Sequence, residues 1–172
     1  MDTIYGVFTN IESADRVLTK LAAFDYGPNE ISVIVREDID VKRKTEVGKG
    51  TSRGAVAGGI AGGLTGLLFG IGAIAVAGFS PLLIAGPLAG ALGITAAVAT
   101  TIEGAASGIV GGGLVGALVG LGIPKETAES YGVRIKEGEV LLGVPVKKDI
   151  DQSIVMKIFE DEKAEDIYSL MV

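Results

Sequence analysis

Serine and threonine hydroxyls are the candidate nucleophiles of this chain, and nothing in the sequence is suited to activate them. The 172 residues include no His and no Cys. That removes Ser–His and Cys–His dyads, thiolate chemistry, and zinc-finger or haem ligation. Carboxylates are the remaining reactive type. They cluster at Glu37, Asp38 and Asp40, and at Glu160, Asp161, Glu162, Glu165 and Asp166. Such groups can hold hard cations, but the spacing does not follow a calcium loop, and a solvated surface is expected. The glycine-dense stretch Gly54–Gly63 invites comparison with a phosphate loop. No Gly-Lys-Ser/Thr follows it, and no acidic residue lies about 20 positions on. The expectation is a protein that is not an enzyme and that has no cofactor and no metal.

Composition then says what the chain is built to do. It is 48% hydrophobic and 5% aromatic, with 27 glycines and a net charge of −6. Acidity argues against a nucleic-acid partner. The first 20 residues carry Asp2, Glu12, Asp15, Arg16 and Lys20 with no apolar run, so no signal peptide is expected. Charge is unevenly spread: from Gly54 to Pro124 the one charged residue is Glu103. An apolar, glycine-rich insertion therefore separates two charged flanks. The expected divisions are residues 1–45, 46–122 and 123–172.

The first flank reads as strand–helix–strand. Thr3–Phe8 is rich in β-formers. Asn10 is placed to cap a helix to about Phe24, with Ala14, Val17, Leu18 and Leu21 on one face. Gly27, Pro28 and Asn29 mark a turn before the strand Glu30–Arg36. In the second flank Pro124 suits the start of a helix over Lys125–Lys136, ending near Gly138. Glu139–Val146 is a strand whose Pro145 suggests fraying or an edge at that end. Asp149 or Asp151 caps a helix carrying Ile154, Val155, Ile158 and Phe159, and Asp166–Val172 is the last strand. Neither flank closes a core alone. Together they predict an α+β fold: a ferredoxin-like split βαβ unit of four antiparallel strands with two helices on one face.

The insertion repeats itself at an offset of 50 residues, Gly54–Gly72 against Gly104–Gly122. Glycines recur every fourth residue in both copies, at Gly54, Gly58, Gly62, Gly66 and Gly70, and at Gly104, Gly108, Gly112, Gly116 and Gly120. That spacing lays each set along one helical stripe. In lipid, where the backbone must satisfy itself, such a stripe lets helices approach closely. The expectation is an inserted glycine-zipper transmembrane hairpin with spans at about 54–76 and 102–121. Gly78–Thr101 would form the far-side turn or a re-entrant segment, since two crossings keep both flanks on one side. Lys42, Arg43, Lys44, Lys49 and Arg53 before the first span place both flanks in the cytoplasm and are candidate lipid head-group contacts. Glu103 is a candidate intramembrane polar site or a boundary residue.

The chain resembles bacterial general-stress-protein families with a central glycine zipper, many of whose members have no known function. The resemblance spans nearly the whole length. It rests on YGVFTNIESADRVLTKL, on EISVIVRED, on the glycine-rich segment, and above all on Gly120–Val146, GLGIPKETAESYGVRIKEGEVLLGVPV. It implies stress-linked, membrane-associated behaviour and carries no catalytic residues. One departure is the helix Ile150–Glu160, whose only basic residue is Lys157. That weakens a lipid or nucleic-acid role for this surface. The function expected is a non-enzymatic, self-associating protein that structures or coats a membrane, its partners being lipid and further copies of itself. Alternatives are an oligomeric pore or channel, a small-molecule sensor built on the ferredoxin-like unit, and a protein-walled particle without lipid.

Overall fold

The computed structural model describes residues 2–27, 30–36, 81–91, 113–147 and 149–171. Among these lie five strands and five helices. The strands are β1 (Thr3–Phe8), β2 (Ser32–Arg36), β3 (Leu82–Ala85), β4 (Val140–Pro145) and β5 (Glu165–Leu170). The helices are α1 (Ile11–Ala22), α2 (Pro87–Ala91), α3 (Gly113–Gly120), α4 (Lys125–Glu137) and α5 (Asp149–Asp161). The strands form one sheet in the order β3-β2-β4-β1-β5, with every neighbouring pair antiparallel.

Local chemistry explains the ends of the elements. The Asn10 side chain accepts the Ser13 N–H at 2.8 Å, satisfying one of the free donors at the start of α1. Helix α4 ends where Gly138 takes φ 100°, and the Gly138 N–H bonds the carbonyl of Ile135. The turn after β3 demands glycine at position 86, where φ is +76° and a Cβ would lie 2.0 Å from the Ile31 carbonyl oxygen.

Both faces of the sheet are covered. On one face α1 and α5 bury Ala14, Val17, Leu18, Leu21, Val155, Ile158 and Phe159 against Ile4, Phe8, Val33, Val35, Leu142 and Val144. Phe8 and Phe159 meet edge to face, 5.2 Å between centroids. On the other face α3 and α4 bury Leu114, Leu118, Ala128, Tyr131 and Ile135 against Tyr5, Val7, Ile34, Ile84 and Leu141. A sheet of four strands with helices on one side is thus corrected to five strands clad on both sides. The strand ending in Pro145 is central and lies between β2 and β1, so proline marks its end and not a sheet edge.

The expected membrane-spanning glycine-zipper hairpin is overturned, and with it the description of the chain as a membrane protein built on that hairpin. Among the described residues no helix is long and apolar enough to cross a membrane. Two observations give the reason. The segment expected as the far-side turn supplies β3, which pairs with β2 in the register Val33↔Ala85, Ile34↔Ile84, Val35↔Leu83 and Arg36↔Leu82. A turn across a bilayer cannot hydrogen-bond to that sheet. The described end of the second expected span is the eight-residue α3, about 12 Å long against a hydrocarbon core of about 30 Å. It docks on the sheet through Leu114 and Leu118, each 0% exposed. The first expected span, 54–76, lies outside the described residues.

Candidate functional site

Of the glycine ladders, Gly116 and Gly120 fall within the described residues. Gly54, Gly58, Gly62, Gly66, Gly70, Gly104, Gly108 and Gly112 lie outside them, as do Glu103, Lys42, Arg43, Lys44, Lys49 and Arg53. Helix α3 shows what a four-residue ladder does on this sheet. Leu114 and Leu118 stand two positions out of step with Gly116 and Gly120, which puts the two pairs on opposite faces. The leucines go inward. The glycines are exposed, and a Cβ built on either meets nothing within 4 Å. Val119, between them in sequence, is 40% exposed. At α3 the intramolecular packing stripe is therefore leucine, and the glycine stripe is an open backbone face.

Helix α4 packs beside α3 and extends this layer. Its inner stripe is Ala128, Tyr131 and Ile135; its outer stripe is Lys125, Glu126, Glu129, Val133, Lys136 and Glu137. Val133 is the most exposed apolar side chain of the layer, at 55%. Lys125 and Glu129 form an ion pair along the helix, 3.7 Å apart.

A charged cluster joins α4 to β5. The Arg134 guanidinium reaches Glu139 at 3.1 Å, Glu165 at 2.5 Å and Asp166 at 2.9 Å. Ser130 donates its hydroxyl to the Asp166 carboxylate, and the Tyr131 hydroxyl donates to the Asp166 carbonyl at 2.7 Å. Asp166 itself sits at φ 48°, in the left-handed region that Asp tolerates, where the β1–β5 register shifts between Tyr5 and Val7. The Ser130 hydrogen bond and then Arg134 hold the Asp166 carboxyl below its usual range, against the cost of burial. Burial works against the charge of Arg134, but hydrogen bonds to Glu139, Glu165 and Asp166 prevail and raise its pKa. Burial pushes both Tyr5 and Tyr131 up. Beside this cluster is an open cleft of about 320 Å³, lined by Glu126, Thr127, Ser130, Asp166, Ile167 and Tyr168.

Two further carboxylates, Glu162 and Glu30, are also engaged. Glu162, in the turn after α5, pairs with Arg16 at 2.6 Å and Lys20 at 2.7 Å, tying that turn to α1. Glu30 pairs with Lys147 at 2.9 Å, and that ammonium lies 4.7 Å from the centre of the Tyr26 ring. Among the described residues no three His, Cys, Asp or Glu side chains converge as a metal site. Sequence reasoning noticed Glu165 and Asp166 as a cluster but missed Arg134. The usable signal was Ser130, Tyr131 and Arg134 on one turn of an otherwise amphipathic helix. Their common target lies more than 30 residues away, which no local pattern reveals.

No family model, curated protein or solved structure matches the chain.

Proposed function

We propose that this is a non-enzymatic, self-associating protein, in which the open glycine face of α3 receives a helix of another copy. One observation carries the reading: at Gly116 and Gly120 a Cβ would meet nothing within 4 Å. The fold does not require glycine there. A glycine inside a helix costs about 1 kcal/mol relative to alanine, a cost that the packing among the described residues leaves without return. A bare backbone stripe allows a second helix to come closer than the usual 8–10 Å between axes, adding dispersion and Cα–H···O contacts. Val119 of α3 and Val133 of the neighbouring α4 are exposed apolar side chains.

The reading is non-catalytic because the chain holds no His or Cys, and its carboxylates at Arg134, Arg16 and Lys147 are held in ion pairs. The resemblance of Gly120–Val146 to general-stress families extends the proposal to a stress-linked role. Sedimentation velocity of the whole chain and of Gly116→Leu tests it. A larger species that dissociates in the variant, with unchanged circular dichroism, is expected. A larger species that persists in the variant removes α3 from the contact, and a wild-type monomer at every concentration overturns self-association itself.

A further inference from the structure

We infer that the outer edge of β5 takes the β5 of a second copy of this chain, antiparallel about a two-fold axis at Ser169, so that the two sheets run on as one. This rests on the self-association reading and gives it a register. Among the described residues β5 is an edge strand, paired with β1 alone. Such an edge offers backbone N–H and C=O groups to a strand of matching pattern.

The ladder shows which groups are offered. The Val146 N–H bonds the Asp2 carbonyl at 2.7 Å, one step beyond the pair Thr3↔Pro145. Bonded and non-bonded pairs alternate along antiparallel strands. Asp2, Ile4 and Gly6 therefore turn their backbone groups to β4, and Thr3 and Tyr5 turn theirs to β5. The β5 partners of those two are Leu170 and Tyr168, whereas Ser169 stands opposite Ile4. Ser169 thus aims its N–H and C=O out of the sheet edge. The peptide groups shared with Tyr168 and Leu170 put the Ile167 carbonyl and the Met171 N–H on the same edge.

Two observations name the occupant. The Ser169 hydroxyl oxygen is buried and has no hydrogen-bond partner among the described residues, a state in which buried hydroxyls are rarely left. With the axis at Ser169, the same residue of the second copy stands directly opposite, and one hydroxyl donates to the other, as serines do across paired strands. The edge is also complementary to itself. The two Ser169 backbones exchange N–H···O bonds, and each Met171 N–H meets the Ile167 carbonyl of the other copy. Tyr168 lies beside Leu170 of the second copy on the face that carries α3 and α4, where both already pack. Ile167 lies beside Met171, 68% exposed in one copy, on the other face. From Ile167 to Met171 there is no charge and no proline, the devices that keep an edge strand single.

This edge adjoins the open glycine face. Just past the end of α3, a Cβ at Gly122 would lie 3.3 Å from the Leu170 side chain. Continuing the sheet across the axis therefore brings the helix layers of the two copies side by side. Strand pairing sets the register, and the bare α3 backbone gives the contact its adhesion. A two-fold contact of this kind closes on itself, so the same patch serves both copies.

The absence of cysteine from the whole chain makes the test direct. Ile167→Cys and Met171→Cys variants are prepared separately, checked by circular dichroism, and oxidised mildly alone and as a mixture. Residues opposite each other in a bonded pair lie about 5.5 Å apart between Cα atoms, within reach of a disulfide. Linked dimer from the mixture, with little from either variant alone, is expected. Linkage of Met171→Cys to itself at equal or greater yield means a different register or direction and overturns the proposal. No linkage in the mixture, while sedimentation still shows the larger species, removes β5 from the contact and leaves the α3 reading standing. A wild-type monomer by sedimentation ends both. As a second measurement, Ser169→Pro deletes an outward N–H at the axis and leaves the bonds to β1 in place. It is expected to weaken association by about tenfold, since the axis makes the loss twice. A folded Ser169→Pro that associates as tightly as wild type contradicts the pairing, and if that variant does not fold, the linkage pattern decides alone.

Discussion

Arg134 Nε lies 2.9 Å from the Asp166 carboxylate, and this contact binds helix α4 to the edge strand β5. Every residue of β1 from Ile4 to Phe8 is buried, but none of β5 is. The strand with least apolar burial is thus the one fastened by charge, from a residue that reaches three carboxylates at once. Replacing Arg134 by Gln is expected to lower stability by about 1–2 kcal/mol, after discounting charge-assisted hydrogen bonds for partial exposure. Amide exchange locates the loss: protection falls first over Glu165–Leu170. A uniform fall across β1 and β4 contradicts this account of β5.

The same clusters set a pH dependence. Asp166 is held below its ordinary 3.8 by the Ser130 hydrogen bond and then by Arg134, and Glu162 below 4.5 by Lys20 and then Arg16. Glu30 is lowered too, by Lys147 and by the Gly27 N–H. Carboxyls depressed in the folded state add stability that is complete above their unfolded values. It is lost as pH falls through the folded ones. Urea midpoints are therefore expected to stay level down to about pH 5 and to fall steadily below the ordinary carboxylate range. In Asp166→Asn the fall is shallower. A midpoint that rises on acidification would show the opposite linkage.

Three glycines separate packing from openness. A Cβ at Gly143 would lie 2.7 Å from the Tyr5 ring, and one at Gly6 2.7 Å from the Phe159 ring. Alanine at either position is expected to cost about 1–3 kcal/mol through overpacking. Alanine at Gly116 meets nothing and gains helix propensity, so it raises stability by about 0.5–1 kcal/mol. Thermal unfolding of the three variants at low concentration checks the order. Destabilisation by Gly116→Ala under those conditions would mean that the fold itself needs a glycine in α3.

These contrasts show what the sequence could reveal. Asn10, Gly138 and the face Ala14, Val17, Leu18 and Leu21 were legible because caps and helical periodicity act over a few residues. The limits of β1 followed from its β-formers alone. Strand β3 was not legible. Leu82–Ala85 is a short apolar run, and a strand buried on both faces asks for the same residues as a segment in lipid. Its partner, β2, lies nearly 50 residues back, so only the fold distinguishes the two. Helix α3 misled in a related way: the four-residue period holds a glycine stripe and a leucine stripe together, and periodicity does not say which one packs inward. Leu114 and Leu118 do. Of the candidate site, the residue types were legible at Gly116 and Gly120, whereas their openness came from the fold.

Self-association is the central claim, and the mass of the particle in solution tests it most directly. Sedimentation equilibrium of the wild-type chain over a wide concentration range is predicted to give a mass well above the 17.5 kDa of one copy. In Gly116→Leu the mass is predicted to fall toward that value at the same concentrations. A wild-type mass of one copy throughout would contradict the account.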